Sequence, residues 1–196
     1  MTDADLADAS IESLFTDAGA LLEGHFLLKS GRHAGRYLEK FLVLQHPRFG
    51  VEIGRRLAEA LAPHRPTLVV GPTTGGVLLS FEVARQLGGD VRAAFAEPVP
   101  SGGRALRRGW PVAAGERVAI VDDILTTGAS LLETVEAVRA AGVEPVAAAI
   151  IVDRSTQPLE PGFPLYALGR LEVPSWTAAE CPLCADGLPL RKPGSS

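Results

Sequence analysis

The chain has 196 residues, enough for one domain with a substantial buried core. With 46% apolar and 21% charged residues it has the composition of a soluble globular protein, and its net charge of −4 excludes a general nucleic-acid binder, which carries a basic face. No apolar run reaches the roughly eighteen residues of a membrane helix, and residues 1–6 lack the basic-then-apolar layout of a signal peptide. The cytoplasm is therefore the expected compartment, with no membrane or nucleic-acid partner.

A first helix is expected over about residues 3–22, with Leu6, Ile11, Leu14, Phe15 and Ala18 on its apolar side. Residues 24–40 are dense in Gly, His and Arg, lack a long helical period and read as short strands and turns. Pro47 suits the first turn of a helix that runs to about residue 61, with Ile53, Leu57, Ala60 and Leu61 inward. Strands and helices then alternate: a strand at 67–71, a helix at 75–87, a strand at 91–96 and a loop to about 116. A strand at 117–122, a helix at 128–141 and strands at 146–152 and 165–168 follow. This alternation implies an α/β fold with right-handed crossovers and a parallel sheet covered on both faces. After Val173 the chain becomes Pro- and Gly-rich, which reads as an irregular tail with a disordered end at 191–196. The expected layout is one domain over 1–196: an N-terminal helix and small hood to about 45, an α/β core over about 46–172, and a tail over about 173–196.

The most informative stretch is 118–130, where an apolar run ends in Asp122 and Asp123 and is followed by Thr126, Thr127, Gly128, Ala129 and Ser130. The helix behind it carries Leu131, Leu132, Val135 and Val138 on one expected face. A buried parallel strand reads this way, and its carboxyl end is where open α/β sheets put their ligands. The loop offers amide N–H groups, hydroxyls and a permissive glycine at a helix start, which suits a phosphate monoester. Carboxylates repel that phosphate, and vicinal ribose hydroxyls are the natural partners for them. Together these groups ask for a ribose 5-phosphate.

These residues resemble the 5-phosphoribosyl-1-pyrophosphate (PRPP) signature of the type I phosphoribosyltransferases. The resemblance implies that Asp122 and Asp123 contact the ribose 2′ and 3′ hydroxyls and that residues 126–130 hold the 5′-phosphate. It further implies a central parallel sheet flanked by helices under an N-terminal hood, Mg2+ held mainly through PRPP rather than by the protein, and a homodimer with shared active sites. By itself Gly71-Pro72-Thr73-Thr74-Gly75-Gly76 reads as a βα turn whose glycines admit a bulky anion. In the family this is the pyrophosphate loop, Thr73 to Gly76, where a cis peptide is common; here it would be Thr73–Thr74. Gly75 replaces a lysine found in some relatives.

Lys29 lies between an apolar triplet and a Ser-Gly turn, and Lys29, Lys40 and Lys192 are the only lysines among 19 basic residues. From composition alone it reads as a surface lysine beside a hairpin turn, or as an ammonium at the lip of a pocket for a planar anion. The segment from Gly24 through Tyr37 and Leu38 resembles the hood of orotate phosphoribosyltransferases. That resemblance implies that Lys29 contacts orotate, with Tyr37 and Leu38 over the base, Thr126 beside it, and Arg154, after Asp153, recognising it by a bidentate fork. His25 and His33 read as structural or surface histidines.

The loop between Glu97 and Trp110 departs from the family, whose mobile loop there is rich in Lys with a His. This one has neither; Arg104, Arg107 and Arg108 supply its positive charge and Gly102-Gly103 its hinges. Because a guanidinium keeps its proton to above about pH 12, charge stabilisation suits this loop better than proton transfer. Cys181 and Cys184 have the spacing of half a zinc site with no histidine near them in sequence. Reduced thiols, a metal shared across a dimer and a redox role all remain open. The resemblance implies orotate phosphoribosyl transfer; the alternatives are a PRPP-sensing regulator of the same fold without turnover and a purine phosphoribosyltransferase.

Overall fold

The computed structural model describes residues 3–28 and 30–193. In chain order it contains α1 (Asp3–Asp8), α2 (Ile11–Asp17), β1 (Leu21–Leu27), β2 (His33–Leu38), α3 (Lys40–Leu44), α4 (Pro47–Leu61), a 3-10 turn (Ala62–His64) and β3 (Leu68–Pro72). Then follow α5 (Gly75–Leu87), β4 (Arg92–Pro98), β5 (Arg104–Ala105), β6 (Val118–Leu125), α6 (Ala129–Ala140), β7 (Pro145–Asp153) and β8 (Leu165–Arg170). The chain closes with β9 (Ser175–Trp176), α7 (Pro182–Ala185) and β10 (Leu190–Arg191).

Six strands form the central sheet in the order β5-β4-β3-β6-β7-β8. All neighbours are parallel except β4 and β5. Side-chain alternation along β6 and β7 divides the core between two layers. Ala119, Val121, Ala147, Ala149 and Ile151 face α2, α4 and α5, where Phe15, Phe49, Ile53, Leu57 and Leu79 are fully buried. Ile120, Ala148 and Ile150 face Leu131, Val135 and Val138 of α6. Each large side chain taken wholly out of water contributes about 1.5–3 kcal/mol.

The expected first helix is two. The chain breaks between them, and Ser10 caps α2 by accepting from Ser13 N at 3.1 Å, while 21–22 already belong to β1. On α6, Leu132 faces solvent, because the buried stripe runs through 131, 135 and 138 at the i, i+4, i+7 spacing. The hood is a second sheet in the order β10-β1-β2-β9, so the tail is not irregular: it supplies both hood edges. Arg191 pairs with Phe26 in parallel β10 and β1 rather than starting a disordered end. Residues 194–196 lie outside the described residues.

Candidate active site

Asp122 and Asp123 sit within β6, which continues pairing with β7 through Ile124↔Val152 and Leu125↔Asp153. The strand thus runs past the residue where the apolar pattern stops, with Ile124 half-buried and Leu125 buried at its end. Adjacent strand residues point to opposite faces, so the two carboxylates meet different partners. On the α6 side, Ser130 Oγ donates to Asp122 Oδ2 at 2.6 Å. On the opposite side, Lys40 Nζ lies 2.7 Å from Asp123 Oδ2. Burial first, and the neighbouring Asp123 charge second, push the Asp122 carboxyl up to about 6, against Ser130 and Lys40.

Thr126 and Thr127 are exposed beyond β6. Gly128 follows at φ 80°, a left-handed backbone that favours glycine, and a Cβ there would also press on the Leu159 side chain at 2.7 Å. Its carbonyl accepts from Leu132 N at 2.9 Å to start α6. The first-turn amides of that helix have no intrahelical partners, which makes the Thr126–Ser130 turn an anion-accepting end.

One strand away, the Thr73–Thr74 peptide bond is cis, as the resemblance implied. Gly71 and Gly76 are in backbone contact: a Cβ on Gly71 would stand 2.2 Å from the Gly76 carbonyl oxygen. Gly75 abuts the acidic pair, and a Cβ there would stand 2.0 Å from Asp123 Oδ2. That oxygen is the one Lys40 binds. The ammonium beside the acidic pair therefore comes from the start of α3, not from position 75. Sequence reasoning passed over Lys40 although its scarcity was a usable signal; what it lacked was the hood-to-core packing that brings α3 to β6.

Arg104 joins this group. Its Nη1 donates to the Thr73 carbonyl at 3.3 Å, to Thr73 Oγ1 at 3.2 Å and to the Ala96 carbonyl at 3.2 Å. Its Nε makes no hydrogen bond but lies 3.3 Å from Glu133 Oε2 as an ion pair. Arg107 and Arg108 are exposed, and Arg108 forms a 2.7 Å surface pair with Glu97. The three loop arginines are thus not equivalent: one is fixed to the Thr73–Gly76 turn and two face solvent.

Arg154 N donates to the Leu125 carbonyl at 2.8 Å, tying the end of β7 to the end of β6. Its Nε is buried with no hydrogen-bond partner among the described residues, and burial lowers the pKa of its guanidinium, with Tyr37 opposing. A buried cation in this state favours an anionic ligand. Burial, then Glu39, raises the pKa of Tyr37, while the charges of Lys40 and Arg154 lower it, so the hydroxyl is within electrostatic reach of both cations. Phe26 packs on Tyr37 with ring centroids 5.8 Å apart. Leu38 is 3% exposed and belongs to the core layer beneath. Lys29 lies outside the described residues; Leu28 N donates to the Arg32 carbonyl at 2.8 Å.

Cys181 and Cys184 correct an expectation. Histidines do stand beside them: His25 and His33 are buried in the hood, and all four ligand atoms lie within 4.8 Å of one another. These histidines are 148 or more positions away in the chain, so local spacing carried no sign of the encounter.

A family model described as the phosphoribosyl transferase domain matches residues 43–179. The chain is 45% identical to the orotate phosphoribosyltransferase of Pelotomaculum thermopropionicum over 94% of its own length and 96% of that protein's. It is 41% identical to that of Thermotoga maritima over 94% of this chain and 97% of the relative. Its fold is similar to Mycobacterium tuberculosis orotate phosphoribosyltransferase solved in complex with PRPP. The TM-score is 0.67 at 27% identity, covering 86% of this chain and 96% of that one. The chain belongs to the phosphoribosyltransferase family, in its orotate phosphoribosyltransferase branch.

Proposed function

We propose that this chain, as one unit over 1–196, transfers the 5-phosphoribosyl group of PRPP to a ring nitrogen of orotate. The products are orotidine 5′-monophosphate and pyrophosphate, in pyrimidine synthesis. The observation that carries the reading is the buried Asp122–Asp123 pair against the Thr73–Gly76 turn, with Lys40 2.7 Å from Asp123 and the Nε of Arg154, unpaired among the described residues, at the neighbouring strand end.

Asp122 and Asp123 accept hydrogen bonds from the ribose 2′ and 3′ hydroxyls, and residues 126–130 donate to the 5′-phosphate. Thr73, Thr74, Gly75 and Gly76 receive the pyrophosphate. Lys29 and Arg154 orient orotate through its carboxylate and carbonyls, with Thr126 beside it and Tyr37, packed on Phe26, over the ring, while Leu38 anchors the strand in the core. As the C1′–oxygen bond to pyrophosphate breaks and the C1′–nitrogen bond forms, the held sugar and base need little reorientation, so positioning supplies much of the rate. Arg104 steadies the pyrophosphate loop and stabilises departing charge. Arg107 and Arg108 reach that charge only if the loop closes, a movement that also excludes water.

The family reading includes Mg2+ with PRPP. Asp122 and Asp123 offer hard oxygen donors beside the Thr73–Gly76 turn, with Lys40 taking one Asp123 oxygen, which fits an ion held mainly through PRPP's own oxygens. Bound there, Mg2+ supplies charge neutralisation of the leaving pyrophosphate. The soft sulfur and imidazole donors of the hood do not suit it. The working form is read as a cytoplasmic homodimer, with exposed Leu78 and Phe81 on α5 as apolar surface for a second copy. Among the described residues no helix is long and apolar enough to cross a membrane.

The test is the absorbance change on mixing protein, Mg2+, PRPP and orotate, beside parallel mixtures with adenine, guanine, hypoxanthine and uracil. Turnover confined to orotate is expected. Turnover of a purine instead would remove Lys29 and Arg154 from base recognition, and PRPP binding without turnover would make the protein a sensor.

A further inference from the structure

His25 and His33 lie on adjacent strands β1 and β2, and Cys181 and Cys184 on one turn at the start of α7. Their donor atoms converge. His25 Nε2 lies 2.9 Å from His33 Nδ1, 3.4 Å from Cys181 Sγ and 3.7 Å from Cys184 Sγ, and His33 Nδ1 lies 3.3 Å from Cys184 Sγ. A tetrahedral zinc ion with Zn–S near 2.3 Å and Zn–N near 2.05 Å has nitrogen–nitrogen and nitrogen–sulfur edges of about 3.4 and 3.6 Å. These four edges lie within about 0.5 Å of the tetrahedral values, and all four donor atoms lie within 4.8 Å of one another, so a small movement of one thiol closes the set. Both cysteines are free thiols, and three of the four residues are buried.

A second observation points the same way. His25 Nδ1 lies 2.9 Å from the Leu188 carbonyl oxygen, which can only accept. Nδ1 therefore carries the proton, and Nε2 presents its lone pair to the cluster centre. A backbone carbonyl that fixes the tautomer of a histidine in this way is the usual outer support of a metal-ligating imidazole. Thiolate and imidazole donors in a closed four-ligand set select zinc among the common divalent ions.

We propose that His25, His33, Cys181 and Cys184 of a single chain form a structural zinc site that locks the C-terminal tail onto the hood. With four protein ligands the ion has no open position for substrate, which assigns it to structure rather than to chemistry. On the proposed function the segment it fixes matters to the base, because in sequence His25 and His33 flank Lys29. Neighbouring contacts follow the same line, since Gly35 of β2 faces Leu183 of α7, and β10 pairs with β1 through His25↔Leu190.

Metal analysis of protein purified without a metal-binding tag tests the site directly. About one zinc per chain is expected, retained on dilution to monomer, with Cys184→Ser and His33→Ala each losing it. Cobalt replacement of the wild-type ion should give tetrahedral d–d bands and thiolate-to-cobalt charge transfer, a readout that depends on no variant folding. Amide exchange over 188–193 should quicken when the ion is chelated from the wild-type protein. Absence of bound metal with both thiols free, a Cys181–Cys184 disulfide in the purified protein, or one ion per two chains lost on dilution would each overturn the proposal.

Discussion

Lys40 Nζ contacts Asp123 Oδ2 at 2.7 Å, the same oxygen that a side chain at position 75 would strike. The ammonium offsets one charge of the acidic pair and holds Asp123 in a fixed rotamer beside the pyrophosphate loop. Lys40→Met should raise KM for PRPP by about tenfold or more, the effect of losing a charge-assisted hydrogen bond of about 1.5–3 kcal/mol. KM for orotate should move less. Initial-rate kinetics with each substrate varied in turn distinguish these, and an unchanged KM for PRPP would leave the pair without a part in binding.

The acid limb of activity should report Asp122. Its carboxyl, pushed up to about 6 from 3.8, is charged above that pH and takes up a proton as pH falls through it. The rate at limiting PRPP should fall accordingly below about pH 6. The folded protein holds this proton more tightly than the unfolded chain, so between about 6 and 3.8 this group favours folding as pH falls. Because phosphate monoesters also titrate near about 6, the diagnostic is the difference between proteins assayed with one substrate. Lys40→Met removes a charge that lowers the Asp122 pKa, and its limb should lie at higher pH than that of wild type. Coincident limbs would assign the titration to PRPP.

Arg154→Ala should raise KM for orotate by about ten- to a hundredfold while calorimetric PRPP affinity stays near wild type. Arg154→Lys should rescue little, since a point ammonium cannot reproduce the planar fork. Lys29→Ala should share this profile. Equal losses of orotate and PRPP affinity in either variant would remove that residue from base recognition.

Arg104 and Arg108 should separate cleanly. Arg104→Ala deletes three hydrogen bonds around Thr73 and the Ala96 carbonyl and should lower kcat by about tenfold or more. Arg108→Ala breaks an exposed pair with Glu97, and the melting temperature should not change measurably. A kcat loss for Arg108→Ala as large as that for Arg104→Ala would mean that loop closure brings Arg108 onto the pyrophosphate.

Much of this was legible because the informative residues are contiguous. The helices Pro47–Leu61 and Gly75–Leu87 follow from a first-turn proline and an apolar stripe, and Asp122 to Ser130 carry ribose and phosphate chemistry within one strand–loop–helix. What escaped has long sequence separation. Two-residue strands such as β9 and β10 have no period to detect, and their partners lie at the other end of the chain. Lys40 and Asp123 meet, as do His25 and Cys181, only once the hood and the core have packed. The break before Ile11 left a local mark in Ser10, overridden by an apolar pattern that continues across it.

The parallel pairing of β10 with β1 sets an order for synthesis. The strands from β3 to β8, with the acidic pair and both phosphate-binding turns, are synthesised before residues 181–191. The β1–β2 hairpin must wait for residues 175–191 before its sheet is whole. A chain released early, short of Cys181, would keep its ribose-phosphate end and lack the tail strand at the base end. Such a product would have an incomplete hood, which makes translation past residue 191 a condition for a whole base end.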